Sequence, residues 1–201
     1  MQKVFGVEGR LFSALTKIFD LLILNIVFLI GCLPIVTIGA SLTALYSVTL
    51  KMVRDEESNV AKAFWNSYKK NLKQSSIIWL AVLFVLASLL FLAANISKHY
   101  SVVLYPLLLL VTVSLLTLLY VFPLLAKFEN SCFHTIKNAF LISLHTVAYS
   151  ILLFIITVLF VAVIPIYFPK LLFIWLFLGF SSSAFVKSFL FEKIFNNYIG
   201  K

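Results

Sequence analysis

The stretch from residue 21 to residue 50 constrains the fold more than any other part of the chain. None of its thirty positions is Lys, Arg, Asp or Glu. One helix of that length would extend about 45 Å, whereas the hydrocarbon core of a bilayer is about 30 Å thick. Pro34 lies near the middle, between Gly31 and Gly39, where a helix is expected to break. The sequence therefore predicts a hairpin of two short membrane helices, with a tilted or re-entrant arrangement as the alternative to two crossings.

The composition extends this conclusion to the whole chain. Of the 201 residues, 63% are hydrophobic and 11% are charged, and the mean hydropathy is +1.10. These values exclude a soluble globular protein and predict one integral membrane domain over residues 1–201. The net charge of +9 is divided among short segments between apolar runs. That pattern is typical of membrane proteins, so we expect the lipid bilayer, and no nucleic acid, as a partner.

The distribution of basic residues predicts the topology. The apolar runs predict an all-α polytopic transmembrane helix bundle with spans near residues 17–33, 36–53, 75–95, 102–126, 140–163 and 171–191. With six spans and both termini in the cytoplasm, only two of the sixteen basic residues, Lys98 and Lys170, lie outside. If residues 21–50 crossed once, the N-terminus and the basic segment that follows residue 50 would lie on opposite sides of the membrane, so one basic group would lie outside. The positive-inside rule therefore favours six spans.

Two basic segments flank the hairpin. Residues 1–20 are predicted to form an interfacial segment, in which Lys17 pairs with Asp20. Residues 51–74 are predicted to form a cytoplasmic amphipathic link, with Ser58 capping its helix. This helix either lies on anionic headgroups or docks a partner. The candidate docking residues are Phe64, Trp65, Tyr68, Lys69, Lys70 and Lys73.

The two cytoplasmic links suggest a parallel internal repeat. Residues 43–46 (TALY) resemble residues 117–120 (TLLY), and residues 63–67 (AFWNS) resemble residues 139–143 (AFLIS). The repeated unit would be a descending helix, a basic link and an ascending helix. Chance similarity between apolar sequences is the alternative.

Small and hydroxylated residues are concentrated around the proline. They let helices approach closely, either within this chain or against a partner. The candidate face comprises Gly31, Pro34, Thr37, Gly39, Ala40, Thr43, Ala44 and Ser47.

This region also resembles the YesL-like family of small bacterial integral membrane proteins. The resemblance depends on the stretches LPIVTIGASLTALY and AFWNSYKKNLKQSSIIWL, and it covers residues 10–85 well. The remainder is similar only in length and hydropathy. The resemblance implies a multi-pass protein of the bacterial plasma membrane that is associated with carbohydrate uptake. Its implied partners are the permease and ATPase subunits of a sugar ABC importer, and it brings no catalytic residues.

The polar residues give little support to catalysis. His145 is expected to be the only ionisable group deep in a span, and Asn25 the other isolated polar group. The chain has no P-loop, GxSxG or HExxH motif, and its two cysteines lack metal-ligand spacing. We therefore expect no enzyme, cofactor or metal site. An accessory subunit is the first hypothesis, a stand-alone permease for a neutral solute the second, and a membrane enzyme the third.

The predicted topology can be tested by labelling a single cysteine at Asn59. In a variant with Cys32 and Cys132 replaced by serine, Asn59→Cys should resist a membrane-impermeant maleimide in intact cells. It should react once the cells are permeabilised, because the link is predicted to be cytoplasmic. Labelling of intact cells would contradict the six-span topology.

Overall fold

The structure, a computed structural model, describes residues 10–56, 59–95 and 101–199 as a bundle of helices. The helices are α1 (Arg10–Gly31), α2 (Ile38–Val53), α3 (Val60–Asn95), α4 (Ser101–Lys127), α5 (Cys132–His145), α6 (Val147–Val158), α7 (Ile164–Tyr167) and α8 (Leu172–Ile199). Short 3-10 turns occupy Ile35–Thr37 and Pro169–Leu171, and a π-helical turn, Leu159–Val163, joins α6 to α7. No strand occurs in the described residues.

Six helical segments of the described chain are long and apolar enough to cross a membrane. They are Phe12–Gly31, Ile35–Val53, Val60–Asn95, Tyr105–Lys127, Val147–Tyr167 and Pro169–Tyr198. The predicted all-α bundle of about six spans is thereby confirmed. The side of the membrane on which each terminus lies stays a prediction. Residues 1–9 of the interfacial segment, and Lys98 in the expected outer loop, lie outside the described residues.

The short helix α2 occupies the centre of the bundle. It packs against α1, α3, α4 and α8, and eleven of its sixteen residues are buried. Between Gly39 and Ser47 the buried residues include alanine, serine and threonine as well as leucine and tyrosine. Small side chains let the axes of neighbouring helices come close, which is the main source of helix association where lipid is the solvent.

The hairpin turns at Pro34 as the sequence predicts. Helix α1 ends at Gly31, and the Thr37 hydroxyl donates to the carbonyl oxygens of Gly31 (3.0 Å) and Pro34 (2.9 Å). These bonds satisfy acceptors that the break in the helix leaves without backbone partners. The side chains at the tip are apolar and exposed, with Leu33 79% and Ile35 70% accessible. Such a tip suits contact with lipid.

The hairpin is shorter than the helices around it. The indole Nε1 of Trp79 donates to the carbonyl oxygen of Ile35 at 3.0 Å, which places the tip level with Trp79. Helix α3 continues from there to Asn95, about 24 Å further at 1.5 Å per residue. The outer halves of α3 and α4 therefore extend well beyond the tip.

Ion pairs join one end of the bundle, here called the basic end. Lys17 Nζ lies 2.8 Å from Asp55 Oδ1, which ties the start of α1 to the turn after α2. Lys70 pairs with Glu129, and Lys127 pairs with Glu192 at 3.0 Å. The expected pairing of Lys17 with Asp20 is therefore wrong: a residue 38 positions away along the chain supplies the carboxylate.

The turn between α2 and α3 is closed by backbone hydrogen bonds. The Glu56 N–H donates to the Lys51 carbonyl at 3.0 Å, and the Asp55 N–H donates to the Met52 carbonyl at 3.3 Å. Asp55 adopts a left-handed conformation with φ of 56°, where glycine is the usual residue. The side chain of Asn59 accepts the Lys62 N–H at 3.0 Å and so caps α3. The predicted cap, Ser58, lies outside the described residues.

Two predicted boundaries are wrong. The basic link and the third span form one continuous helix of 36 residues, α3, because no proline or glycine interrupts Val60–Asn95. The predicted fifth span, residues 140–163, is broken at Thr146, which separates α5 from α6. Consequently the apolar segment is Val147–Tyr167, and α5 is a separate amphipathic helix.

The internal repeat stays a prediction, but one contact agrees with it. Tyr46 and Tyr120 occupy equivalent positions in the two aligned stretches. Both rings pack edge-on against Phe191 of α8, each with a centroid distance of 5.6 Å. The equivalent phenylalanines differ, since Phe64 is buried and Phe140 is exposed.

Substituting Gly39 with alanine should destabilise the bundle. A Cβ at this position would lie 2.5 Å from the Ser75 carbonyl oxygen and 2.7 Å from Trp79 Cβ, so the helices would have to separate. We expect a loss of about 1–3 kcal/mol in the free energy of unfolding, the usual cost of overpacking. Thermal unfolding of the purified protein, followed by tryptophan fluorescence, measures it.

Gly31→Ala is the matched control for that substitution. There the new methyl group would meet the Ser41 hydroxyl at 2.6 Å, a side-chain atom that can rotate away. Its effect should therefore be clearly smaller. Equal effects of the two substitutions would contradict the close approach of α2 to α3.

Candidate functional site at the basic end

The predicted small-residue face is used inside the chain. Gly39, Ala40, Thr43 and Ala44 are buried, and the Thr43 hydroxyl lies 2.9 Å from the Ser75 hydroxyl of α3. Packing within the chain therefore accounts for most of this face. Ser47, at its far end, instead lines a cleft described below.

Asn25 joins α1 to α8. Its side chain is fully buried; Nδ2 donates to the Leu176 carbonyl at 2.7 Å, and Oδ1 accepts the Ser181 N–H at 2.9 Å. In an uninterrupted helix these two backbone groups would pair with other groups of α8. Asn25 thus bonds through both ends of its amide to backbone groups of α8, which joins the two helices.

His145, which the sequence predicted deep in a span, lies just before the apolar segment Val147–Tyr167. It is the last residue of α5, its side chain is exposed, and its ring lies 6.3 Å from the ring of Tyr198. A buried ionisable group within a predicted span is Lys187 of α8, which is 7% exposed. Its Nζ donates to the Thr157 hydroxyl at 3.3 Å and lies 5.6 Å from the centroid of the Tyr46 ring.

The predicted docking helix is divided between two faces. Phe64 is fully buried beside Gly31, and the rings of Phe64, Trp65 and Tyr68 pack against one another at centroid distances of 5.3–6.1 Å. Its aromatic side is therefore committed to the bundle. The side chains of Lys69, Lys70 and Lys73 are exposed.

A polar cleft of about 930 Å³ opens beside those lysines, between α2, α3 and the end of α4. Helix α3 supplies one whole wall, on which the residues recur every three or four positions. That wall comprises Asn59, Lys62, Ala63, Asn66, Ser67, Lys70, Asn71 and Gln74. The opposite wall comprises Ser47, Lys51, Glu56, and residues 125–130. We call this feature the polar cleft.

Interactions between helices hold the polar cleft in shape. Lys127 is 10% exposed and Glu192 16% exposed; Lys127 Nζ lies 3.0 Å from both carboxylate oxygens and 5.4 Å from the centroid of the Phe195 ring. The Gln74 amide donates to the Asn130 carbonyl at 2.6 Å. These contacts connect α3, α4 and α8 around the base of the cleft.

The rim of the polar cleft carries an exposed ion pair. The hydrogen bond from Lys70 and the positive charge of Lys70 hold the pKa of the Glu129 carboxyl below its usual value. Glu129 therefore stays ionised and partly neutralises the lysine. Because both groups are exposed, the pair adds little to stability.

The cleft was not predicted, although the spacing of polar residues along α3 indicates one of its walls. The apolar residues at positions 60, 64 and 68 mark the buried face of α3. The polar residues Asn59, Asn66, Lys70 and Gln74 recur at helical spacing, so they share a face of α3 beside the buried one. Residues 125–130 of the opposite wall lie about sixty residues further along the chain, and helical periodicity cannot identify them.

Removing the Asn25 amide should be costly. Asn25→Ala removes two hydrogen bonds between a fully buried side chain and α8, so we expect a loss of about 1–3 kcal/mol in stability. Thermal unfolding in detergent measures it. Thr112→Val is a suitable control, since that hydroxyl is exposed and bonds only within its own helix. Similar effects of both changes would contradict a stabilising role for the hydrogen bonds between Asn25 and α8.

Comparison with known proteins gives one match. Residues 21–93 match the family model described as "Protein of unknown function, DUF624". No curated protein and no solved structure matches the chain significantly. The matched segment contains the second half of α1, the turn at Pro34, all of α2 and the cleft wall of α3. The chain is similar to the DUF624 family over this segment, and the family description names no activity.

Proposed function

We propose that this protein is an accessory membrane subunit that docks the subunits of a carbohydrate ABC importer at its basic end. The observation that carries the proposal is the continuity of α3, whose lysine-bearing first half is a direct extension of an apolar span. A helix anchored in this way holds its charges at a fixed position relative to the membrane. The docking face proposed here comprises Lys69 and Lys73, both exposed and both outside the lining of the polar cleft.

Charge gives the docking face its chemistry. Exposed lysines on one helix attract an acidic surface and increase the rate of association. The partly exposed side chain of Leu72, which lies between Lys69 and Lys73 in the sequence, adds apolar contact area. The complementary partner surface is therefore acidic with a small apolar centre, on the cytoplasmic side of the permease or on the ATPase.

The link to carbohydrate uptake and the cytoplasmic location rest on the YesL-like resemblance and on the positive-inside rule. The stretches that carry the resemblance lie in the segment that matches DUF624. They also contain the turn of the hairpin and the docking face. The function is therefore proposed for the part of the chain where the similarity is concentrated.

A stand-alone permease for a neutral solute is the second candidate, because hydroxyl groups cluster in the bundle interior. The Tyr120 hydroxyl lies 2.9 Å from that of Ser150 and 3.1 Å from that of Thr146. Such groups suit a neutral polyol, but here they already bond to one another. The polar cleft opens at the basic end instead, which favours the accessory function.

The docking face can be tested by affinity purification from the host cells in mild detergent. The native protein should recover importer permease and ATPase subunits, and Lys69→Glu combined with Lys73→Glu should reduce that recovery at least fivefold, because it reverses two charges. Lys170→Glu, an exposed substitution in the turn before α8, is the matched control and should recover both subunits fully.

Two outcomes would contradict the accessory function. One is undiminished recovery of importer subunits by the double variant. The other is their absence from the native preparation together with solute flux by the purified protein in liposomes, which would favour the permease.

A further inference from the structure

We propose that the polar cleft binds a small phosphate ester that carries several hydroxyl groups. The cleft is a built concavity of about 930 Å³ rather than a flat charged surface, and three helices contribute to its walls. Its size falls within the range of about 300–1,000 Å³ that is usual for small-molecule sites. The chemistry of its lining indicates the class of ligand.

The positive charges of the lining converge from different elements. Lys51 comes from α2, Lys62 and Lys70 from α3, and Lys127 from α4, whereas Glu56 and Glu129 are the acidic residues of the lining. Four lysines and two glutamates leave a net charge of +2 around the cavity. Lys70 and Lys127 are held by carboxylates, and among the described residues Lys51 and Lys62 form no ion pair. A phosphate group is the natural counter-ion for two lysines that face one cavity.

The uncharged part of the lining is rich in amides. Asn59, Asn66, Asn71 and Gln74 follow one side of α3. Each amide offers both a donor and an acceptor, as a hydroxyl group does, so a row of amides can bond to neighbouring hydroxyls of one molecule. Asn71 and Gln74 donate to the carbonyls of Ser67 and Asn130, which fixes their side chains and leaves their oxygens as acceptors. These two amides are therefore positioned before a ligand arrives.

The lining disfavours other anionic ligands. A nucleotide base is usually held by aromatic stacking, and Phe128 is the one aromatic residue in the lining. A peptide would need apolar pockets, whereas the apolar residues here are Ala63, Leu125, Ala126 and Phe128. A polyol phosphate uses the lysines and the amides together.

Phosphate esters of this kind have two sources at the end of a membrane protein. One is a soluble metabolite, and the other is the glycerophosphate headgroup of an anionic lipid. Both present a phosphate beside hydroxyl groups, so the same residues would hold either. The binding experiment separates them by the composition of the bilayer.

The test uses the full chain in nanodiscs of phosphatidylcholine at fixed salt, with glycerol 3-phosphate and glucose 6-phosphate as probes in calorimetry. At least one ester should bind, whereas glycerol and glucose should not. Lys51→Gln combined with Lys62→Gln should weaken binding at least tenfold. Lys69→Gln, on the same helix but outside the lining, should change it less than twofold. Asn66→Leu should weaken binding of the ester more than binding of inorganic phosphate, because the amide is proposed to bond to the hydroxyl groups of the ester.

Nanodiscs that contain phosphatidylglycerol identify the source. If the lipid is the ligand, the soluble ester should be displaced in these discs. Native mass spectrometry should then find phosphatidylglycerol bound to the protein but not to the variant that combines Lys51→Gln with Lys62→Gln. If the metabolite is the ligand, ester binding should be the same in both kinds of disc.

The proposal is overturned if neither soluble ester nor phosphatidylglycerol binds, or if Lys69→Gln weakens binding as much as the cleft substitutions do. An unchanged unfolding temperature shows that each variant is folded. The docking proposal depends on Lys69 and Lys73, so either proposal can fail while the other stands.

Discussion

The close approach of α2 to α3 is the constraint on which the rest of the structure depends. At Gly39 there is no room for a side chain beside the Ser75 carbonyl, and one turn away the hydroxyls of Thr43 and Ser75 meet at 2.9 Å. Apolar helices gain little from hiding their surfaces from lipid, so such tight contacts supply much of the association. Because α2 is central, its neighbours α1, α4 and α8 are positioned through it.

Polar groups in the bundle are arranged according to the same environment. Hydroxyls near the hairpin bond to carbonyls of the broken helix, and Asn25 bonds to two backbone groups of α8. Charged residues collect at the basic end, where Lys17, Lys70 and Lys127 each pair with a carboxylate from another element. The largely buried Lys127–Glu192 pair stabilises the packing of α4 against α8, whereas the two exposed pairs add little to stability. The polar cleft opens at this end. The apolar halves of α3 and α4 extend away from it toward the opposite end.

The differences between expectation and structure have specific causes. The basic link, residues 51–74, and the third span, residues 75–95, were predicted as separate segments, but a change in polarity does not interrupt backbone hydrogen bonding, and α3 continues through both. His145 was placed in a span because its neighbours are apolar, whereas the break at Thr146 leaves it exposed. Lys187, which lies within the predicted span 171–191, is buried among α2, α6 and α8.

The sequence by itself determined that this is a helical membrane protein with a hairpin broken at Pro34 and with basic residues between its apolar runs. Hydropathy, helix length and the missing N–H of proline are local properties, so they can be inferred without knowing the fold. The tertiary structure alone decided the partner of Asn25, 151 positions away, and the partner of Lys17. It also decided the second wall of the polar cleft, because the way helices pack depends on side-chain shape across elements distant in the chain.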